Sequence, residues 1–271
     1  MYTKYTLTVI SAFLLVCGMI PLAGATADVA GDDATVSREK VAQIEETQAV
    51  KPTGEMEAKA TLAARAAEVL DEVMKAPDQG IPVDLLNRAE CVAVFPSTLK
   101  VSFLVGAKYG YGLVSCRQQG SDRWGAPTFF TLAGGSIGLQ AGAKATDLIL
   151  VVMNENGVNS VLQSRVTLGA DIGVTAGPVG RDASASTDAL LGAGILSYSR
   201  SEGIFAGVEL DGSVLIYDAE ATKQMYGEEW DVKTVLLGGK NVAPSMEVFT
   251  QALSKYAPRR VARLQSEGTP N

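Results

Sequence analysis

The sequence contains no histidine, and only three of its 271 residues are cysteine. Without an imidazole, a serine or cysteine nucleophile has no base of the usual kind, and the commonest zinc ligand is missing. A complete GxGxxG fingerprint, a paired-cysteine metal motif and an EF-hand loop are also absent, and the GxSxG string at Gly134–Gly138 has no histidine to activate Ser136. These absences argue against catalysis, so we predict no enzyme activity, no cofactor and no metal site.

Basic charge is also in short supply, with 23 Lys and Arg against 30 Asp and Glu. The resulting net charge of −7 disfavours nucleic acid as a partner. Glycine, by contrast, is abundant, and it interrupts short apolar runs between Val101 and Tyr217. Because glycine lacks a Cβ, it is typical of places where strands turn, bulge or approach another backbone. The pattern predicts a curved, mostly antiparallel, glycine-rich sheet or partial barrel.

The N-terminus has an apolar run, Leu7 to Ile20, that is shorter than the ~20 residues of a bilayer span. Lys4 precedes this run, and Ala25 and Ala27 offer the small residues of a cleavage site. Residues 1–27 are therefore predicted to be a cleaved export signal, which implies a periplasmic or outer-envelope location. The alternative is a lipoprotein signal that leaves Cys17 lipidated, although signal peptidase prefers a smaller residue than Val16 before it.

The remainder divides by composition into three parts. Residues 28–56 have few large apolar side chains and are predicted to be a flexible acidic leader. Residues 57–257 are predicted to form a single α+β domain, with amphipathic helices first, the sheet next and covering helices at the C-terminal end. Residues 258–271 form a basic tail.

Two segments of this domain lead to specific expectations. VAVF, VSFLVG and YGLVSCR are interpreted as three successive strands, which would bring Cys91 and Cys116 within reach of each other. In an oxidising compartment a disulfide between them would stabilise the fold by about 3 kcal/mol, and two buried thiols are the alternative. Leu148–Val152 is apolar on both faces and is predicted to be a central, covered strand.

Six segments occur in an order that resembles the SYLF-domain family, a lipid-binding module, over about residues 60–257. They are IPVDLLNRAECVAVFPS, KYGYGLVSCR, WGAP, GGSIGLQAGAKATDLILVVMN, TLGADIGVTAGPVGR and SYSRSEGIFAGVELDGSVL. The resemblance implies binding to phospholipid or to a membrane surface, through an N-terminal amphipathic helix and basic residues, without catalysis. Some eukaryotic members are also associated with actin, which an exported protein would not meet.

The helix predicted over Glu57–Lys75 supplies the first candidate site. Its apolar face would insert in lipid or, alternatively, pack on the sheet, because its polar face is mildly acidic and attracts anionic lipid weakly. The lipid-contacting residues of this face would be Leu62, Val69, Leu70 and Val73.

Basic residues of the sheet supply the second candidate site, as anchors for phosphate headgroups. The alternative is that they are ordinary solvated charges. They are Lys100, Lys108, Arg117, Lys144, Arg165, Arg181 and Arg200. Two functions remain open at this stage, a lipid-binding module of the cell envelope and an envelope protein that docks a protein partner.

Overall fold

The computed structural model describes residues 53–76, 80–118, 121–180, 193–227 and 230–258. It confirms the predicted α+β class, with a curled, mostly antiparallel sheet and helices at both ends. The predicted signal peptide, the basic tail and all but the end of the predicted leader lie outside the described residues, so those assignments stay predictions.

Among the described residues, two helices precede the sheet. Helix α1, Thr53–Lys75, begins four residues before the predicted start, and α2 is Val83–Arg88, with Pro82 at its N-cap. Within the same ranges, one helix lies between strands, and two helices, a 3₁₀ turn and a last helix follow the sheet. These are α3 (Glu155–Val161), α4 (Ala219–Tyr226), α5 (Val232–Leu237), the 3₁₀ turn Pro244–Met246 and α6 (Glu247–Tyr256).

The sheet has seven strands, and the second is its centre. The strand order is β3-β7-β2-β5-β4, while β1 pairs with β2 and β6 pairs with β5. All pairs are antiparallel except β4 with β5. The strands are β1 (Cys91–Cys116), β2 (Thr128–Val152), β3 (Arg165–Thr167), β4 (Val174–Ala176), β5 (Ile195–Ser201), β6 (Ile204–Gly207) and β7 (Val214–Tyr217).

The prediction of three strands between residues 91 and 116 is wrong, because the structure has one continuous strand of 26 residues. It pairs with β2 from Cys91 to Val114, and the two strands together form a long ribbon. Register shifts let this ribbon bend while both strands continue. The first shift lies between Phe95 and Thr98, where Pro96 cannot donate to the ladder and Ser97 adopts a φ of 54°. The second lies between Ser102 and Leu104.

Strand β1 folds back so that its two ends lie side by side. The Arg117 amide donates to the Glu90 carbonyl at 2.8 Å, and Cys91 and Cys116 form a disulfide. Glycine is required where the two halves meet, because a Cβ at Gly112 would overlap the Val94 carbonyl oxygen. The paired middle of the ribbon, residues 99–109 of β1 and 133–145 of β2, thus forms an arch, which we call the ribbon arch.

At Leu148–Val152, away from the arch, both faces of the ribbon are covered. Alternate residues of Leu148–Val152 enter two hydrophobic clusters, so this stretch is the covered central strand that its sequence predicts. One cluster includes the apolar face of α1 and the inner faces of α2 and α6, and the other includes residues from α3 and α5. None of the helices in the described ranges combines the length and the apolar character that crossing a membrane needs.

Candidate functional site

The ribbon arch brings together three of the predicted basic residues, Lys100, Lys108 and Lys144. Lys100 and Lys144 are directly opposite each other in the β1–β2 register. Lys108 lies on the returning half of β1, close enough to Lys100 to feel its charge. Partial burial lowers the pKa of the Lys108 ammonium below its ordinary value, and the positive charge of Lys100 lowers it further.

Among the described residues, little negative charge compensates the three lysines. One ion pair is formed there, between the Lys144 Nζ and the Glu202 Oε1 at 3.6 Å. Both side chains of this pair are more than half exposed, so their attraction is screened by water and is weak. The lysines therefore form a local excess of positive charge on a chain of net charge −7.

Successive side chains of a strand point to opposite faces, so the side chains of the arch lie on two sides, one concave and one convex. Thr98 and Gly110 face each other across the bend, so the even-numbered Lys100 and Lys108 belong to its concave side. The odd-numbered neighbours Leu99, Val101 and Tyr109 belong to the convex side. Their exposed fractions are 47%, 48% and 57%. Exposed apolar side chains that are grouped on one surface indicate an interaction site, whereas scattered single ones do not.

In the part of the chain that the structure describes, no third strand pairs with the arch. Here β5 pairs with β2 over Asp147–Val152, and β7 pairs with it over Phe130–Ala133. From residue 134 to 146, β1 is the only partner of β2 within the described ranges. The exposure of the convex side follows from this topology.

Arg200 differs from the lysines because carboxylates already occupy its guanidinium. Its Nε and Nη2 each lie 3.0 Å from the Asp147 Oδ2, and its Nη1 pairs with Glu72 of α1. The other Asp147 oxygen accepts the Ser97 amide at 2.8 Å. Arg200 therefore joins α1 to the sheet, and a role as a lipid anchor would need these ion pairs to break.

The remaining arginines lie apart from the arch. Arg117 is 4% exposed, donates to the carbonyls of Ala89, Asp122 and Ala257, and stacks over Trp124 at 4.3 Å. This arrangement is structural, so Arg117 is not a headgroup contact at the surface. Arg165 is exposed at the start of the edge strand β3. Arg181 lies outside the described residues.

The predicted lipid face of α1 is buried. Val69, Leu70 and Val73 are 4%, 1% and 1% exposed and belong to the core, and the partly buried Leu62 packs against it. The structure thus shows the packed arrangement that the sequence left as an alternative. Lipid contact through these four side chains stays a prediction, and it would require α1 to leave the sheet.

A cleft of about 390 Å³ lies beside Leu62, between α1 and α4. Sequence reasoning did not single out its best-placed cation, Lys59, which is 7% exposed and donates to the Gln224 Oε1 at 2.5 Å. Across the cleft, burial raises the pKa of the Tyr111 hydroxyl, and the Asp218 carboxylate raises it further. Because the lining mixes both signs of charge, the cleft is less suited than the arch to an anionic ligand. Among the described residues, no group of three or more His, Cys, Asp or Glu could hold a metal ion.

The fold and its exposed arch define an α+β protein whose long ribbon curls between helices. Residues 133–256 match the family described as "Ysc84: Las17-binding protein actin regulator". The chain belongs to this SYLF-domain family, as its ordered motifs predict.

Named relatives support this assignment. "LAS seventeen-binding protein 3" of Saccharomyces cerevisiae is 33% identical over 201 residues, which are 71% of this chain and 43% of the relative. "SH3 domain-containing YSC84-like protein 1" of Xenopus laevis is 33% identical over 171 residues, 61% of this chain and 50% of the relative. The chain thus spans about half the length of these relatives.

Proposed function

We propose that this protein is a non-enzymatic module that binds the surface of an anionic phospholipid membrane. The observation that carries the proposal is the gathering of Lys100, Lys108 and Lys144 on one arch, where the described residues form one ion pair with them, from the exposed Glu202 to Lys144. The predicted signal peptide would direct this activity to the periplasm or the outer envelope. The family resemblance, which implies lipid binding, supports the same function.

The size of the expected attraction follows from the number of lysines. Each basic residue near an anionic membrane contributes about 1 kcal/mol, so three contribute about 3 kcal/mol at moderate salt. That free energy corresponds to roughly a hundredfold in affinity. It is sufficient for reversible association, and apolar contacts would strengthen it.

Vesicle co-sedimentation tests this function directly. We expect the wild-type protein to sediment with phosphatidylglycerol-containing vesicles more than with pure phosphatidylcholine, and less as salt is raised. The triple variant Lys100→Gln, Lys108→Gln, Lys144→Gln should bind the anionic vesicles roughly a hundredfold more weakly.

A matched control separates the site from net charge. The variant Arg88→Gln, Arg123→Gln, Lys233→Gln removes three exposed cations outside the arch and changes the net charge equally. It should bind nearly as well as wild type. Equal loss in both triple variants would remove the arch lysines as the site, and no sedimentation of wild type with either vesicle would overturn the function.

A protein partner is the second candidate. The family description and the name of the yeast relative both denote Las17 binding, so members of this family engage proteins. For an envelope protein, the partner would be a protein of the same compartment. This candidate gains support if wild type ignores both vesicles.

A further inference from the structure

We propose that the convex side of the ribbon arch is a membrane-insertion surface, whose apolar side chains enter the interfacial layer of an anionic bilayer while the arch lysines meet the headgroups. This inference rests on the proposed function and names the part of the molecule that carries it out. It moves the lipid contact from helix α1 to strand β1.

Apolar side chains are exposed together on the convex side of the arch. Leu99, Val101 and Tyr109 are each about half exposed on the convex side. The register places exposed alanines beside them, Ala145 opposite Leu99 and Ala143 opposite Val101. Leucine and valine supply apolar area, and tyrosine, with a polar tip on an apolar ring, suits the boundary between lipid and water.

The charged side chains of the arch all have the same sign. Residues 99–109 and 133–145 contain three lysines and no aspartate or glutamate, although acids outnumber bases in the whole chain by 30 to 23. Positive charge next to apolar area is the combination that anionic phospholipid recognises.

The lysine side chain is long enough to act at a distance from its own strand. Lys100 and Lys144 stand on the side of the ribbon opposite to Leu99, Val101 and the paired alanines. A lysine has a flexible four-carbon stem, so its ammonium can reach around the ribbon to the phosphate layer while the stem follows apolar surface. The lysines therefore need not lie on the inserted side to hold headgroups.

The backbone limits how deep the arch can go. Over residues 134–146 the outer edge of β2 has no strand partner among the described residues, so its N–H and C=O groups need water or headgroups. Hydrocarbon would leave them without partners, which is strongly unfavourable. Insertion is therefore restricted to the interfacial zone, roughly 5–10 Å deep.

An environment-sensitive fluorophore measures this insertion. Residue 101 is labelled in the variant Val101→Cys with Cys17→Ser, in which Cys91 and Cys116 are bonded to each other. On anionic vesicles of phosphatidylglycerol and phosphatidylcholine, the fluorescence should shift to the blue and be quenched by lipids brominated near the top of the acyl chain. The same label in Val83→Cys is the control, because Val83 is 51% exposed, on helix α2.

A charge placed on the convex side gives a second, independent measurement. Leu99→Asp with Val101→Asp should lower the affinity for anionic vesicles by at least about tenfold. Val83→Asp should leave it unchanged. Because both altered positions are about half exposed, the variant is expected to keep its fold, which circular dichroism and the intact disulfide would verify.

The outcomes separate this inference from the proposed function. Vesicle binding without quenching at residue 101, or unaltered binding by the double aspartate variant, would overturn insertion while leaving surface binding in place. Failure of wild type to bind any vesicle would overturn both. Quenching at residue 101 but not at residue 83 supports insertion of the arch.

Discussion

Helix α1 and the ribbon arch both carry apolar residues next to charged ones, yet they use them in opposite ways. On α1 the apolar face is buried in the core, and its carboxylates Asp71 and Glu72 are tied to Lys255 and Arg200. On the arch, Leu99 and Val101 face outward. An amphipathic sequence pattern thus shows how much apolar surface a helix or strand has. Whether that surface is buried or exposed depends on the elements that pack against it in the fold.

The largest expected difference between the two regions is the effect of a buried charge. Leu70→Asp should destabilise the protein by about 4 kcal/mol or more, because residue 70 is 1% exposed and the carboxylate would have no partner in the core. Val101→Asp should change the free energy of unfolding by no more than about 0.5 kcal/mol. Urea unfolding of both variants measures this.

Only a variant that keeps its fold can test lipid binding. Loss of vesicle binding by Leu70→Asp would report loss of the fold, whereas Val101→Asp alters a surface. If the two substitutions destabilised the protein equally, the arch would be buried in solution and the contrast between the regions would disappear.

The disulfide gives the next largest effect, and it should act on the arch more than on α1. A bridge between residues 25 apart stabilises the folded state by about 3 kcal/mol in the chain-entropy model. We expect Cys91→Ala with Cys116→Ala to lose that amount in urea unfolding, since both sites are buried and alanine adds no unpaired polar group.

Hydrogen exchange would show where that loss is felt. Protection should fall most for amides of the ribbon arch, whose ends the bridge joins, and less for amides of α1. A uniform fall across both regions would mean that the bridge stabilises the domain as a whole.

The smallest effect concerns pH and the attachment of α1. Hydrogen bonds from Lys75, Tyr256 and Lys255 hold the pKa of the Asp71 carboxyl well below its usual 3.8. The unfolded chain therefore binds this proton at a higher pH than the folded chain, so the contribution of Asp71 is present above about pH 4 and is lost as pH falls below it.

The variant Asp71→Asn lacks this titration. Its stability should decline less steeply than that of wild type between about pH 4 and pH 2, as measured by urea unfolding at a series of pH values. Glu57→Gln, which removes an exposed carboxylate from the same helix, is the control. Parallel pH profiles for wild type and Asp71→Asn would contradict the assignment.

Much of the fold could be predicted from local pattern. The 3.6-residue periodicity located α1 and α6, and the continuous apolar run at Leu148–Val152 identified the covered central strand. Family resemblance followed from ordered motifs. These features depend on neighbouring residues in the chain, which a sequence displays directly.

The site depends on contacts that the sequence does not display. The alternation of Val101 with polar neighbours predicts a half-buried strand. In the described part of the chain, β1 and β2 pair only with each other there, and Val101 is 48% exposed. Likewise, the sequence offers Arg200 as a headgroup anchor, whereas in the fold its guanidinium forms ion pairs with Glu72 and Asp147. The one local signal was the lack of any acid in residues 99–109 and 133–145.

The disulfide at the feet of the arch also has a mechanical consequence. The 25-residue separation between Cys91 and Cys116 corresponds to roughly 80–90 Å of extended chain. When force is applied at the ends of the protein, the disulfide prevents this segment from extending. Pulled to full extension, the oxidised chain would remain shorter than the reduced one by about that length. A protease cut within residues 99–109 of the arch would likewise leave both fragments joined by the disulfide. A protein bound to a membrane through one fragment would therefore stay bound after the cut.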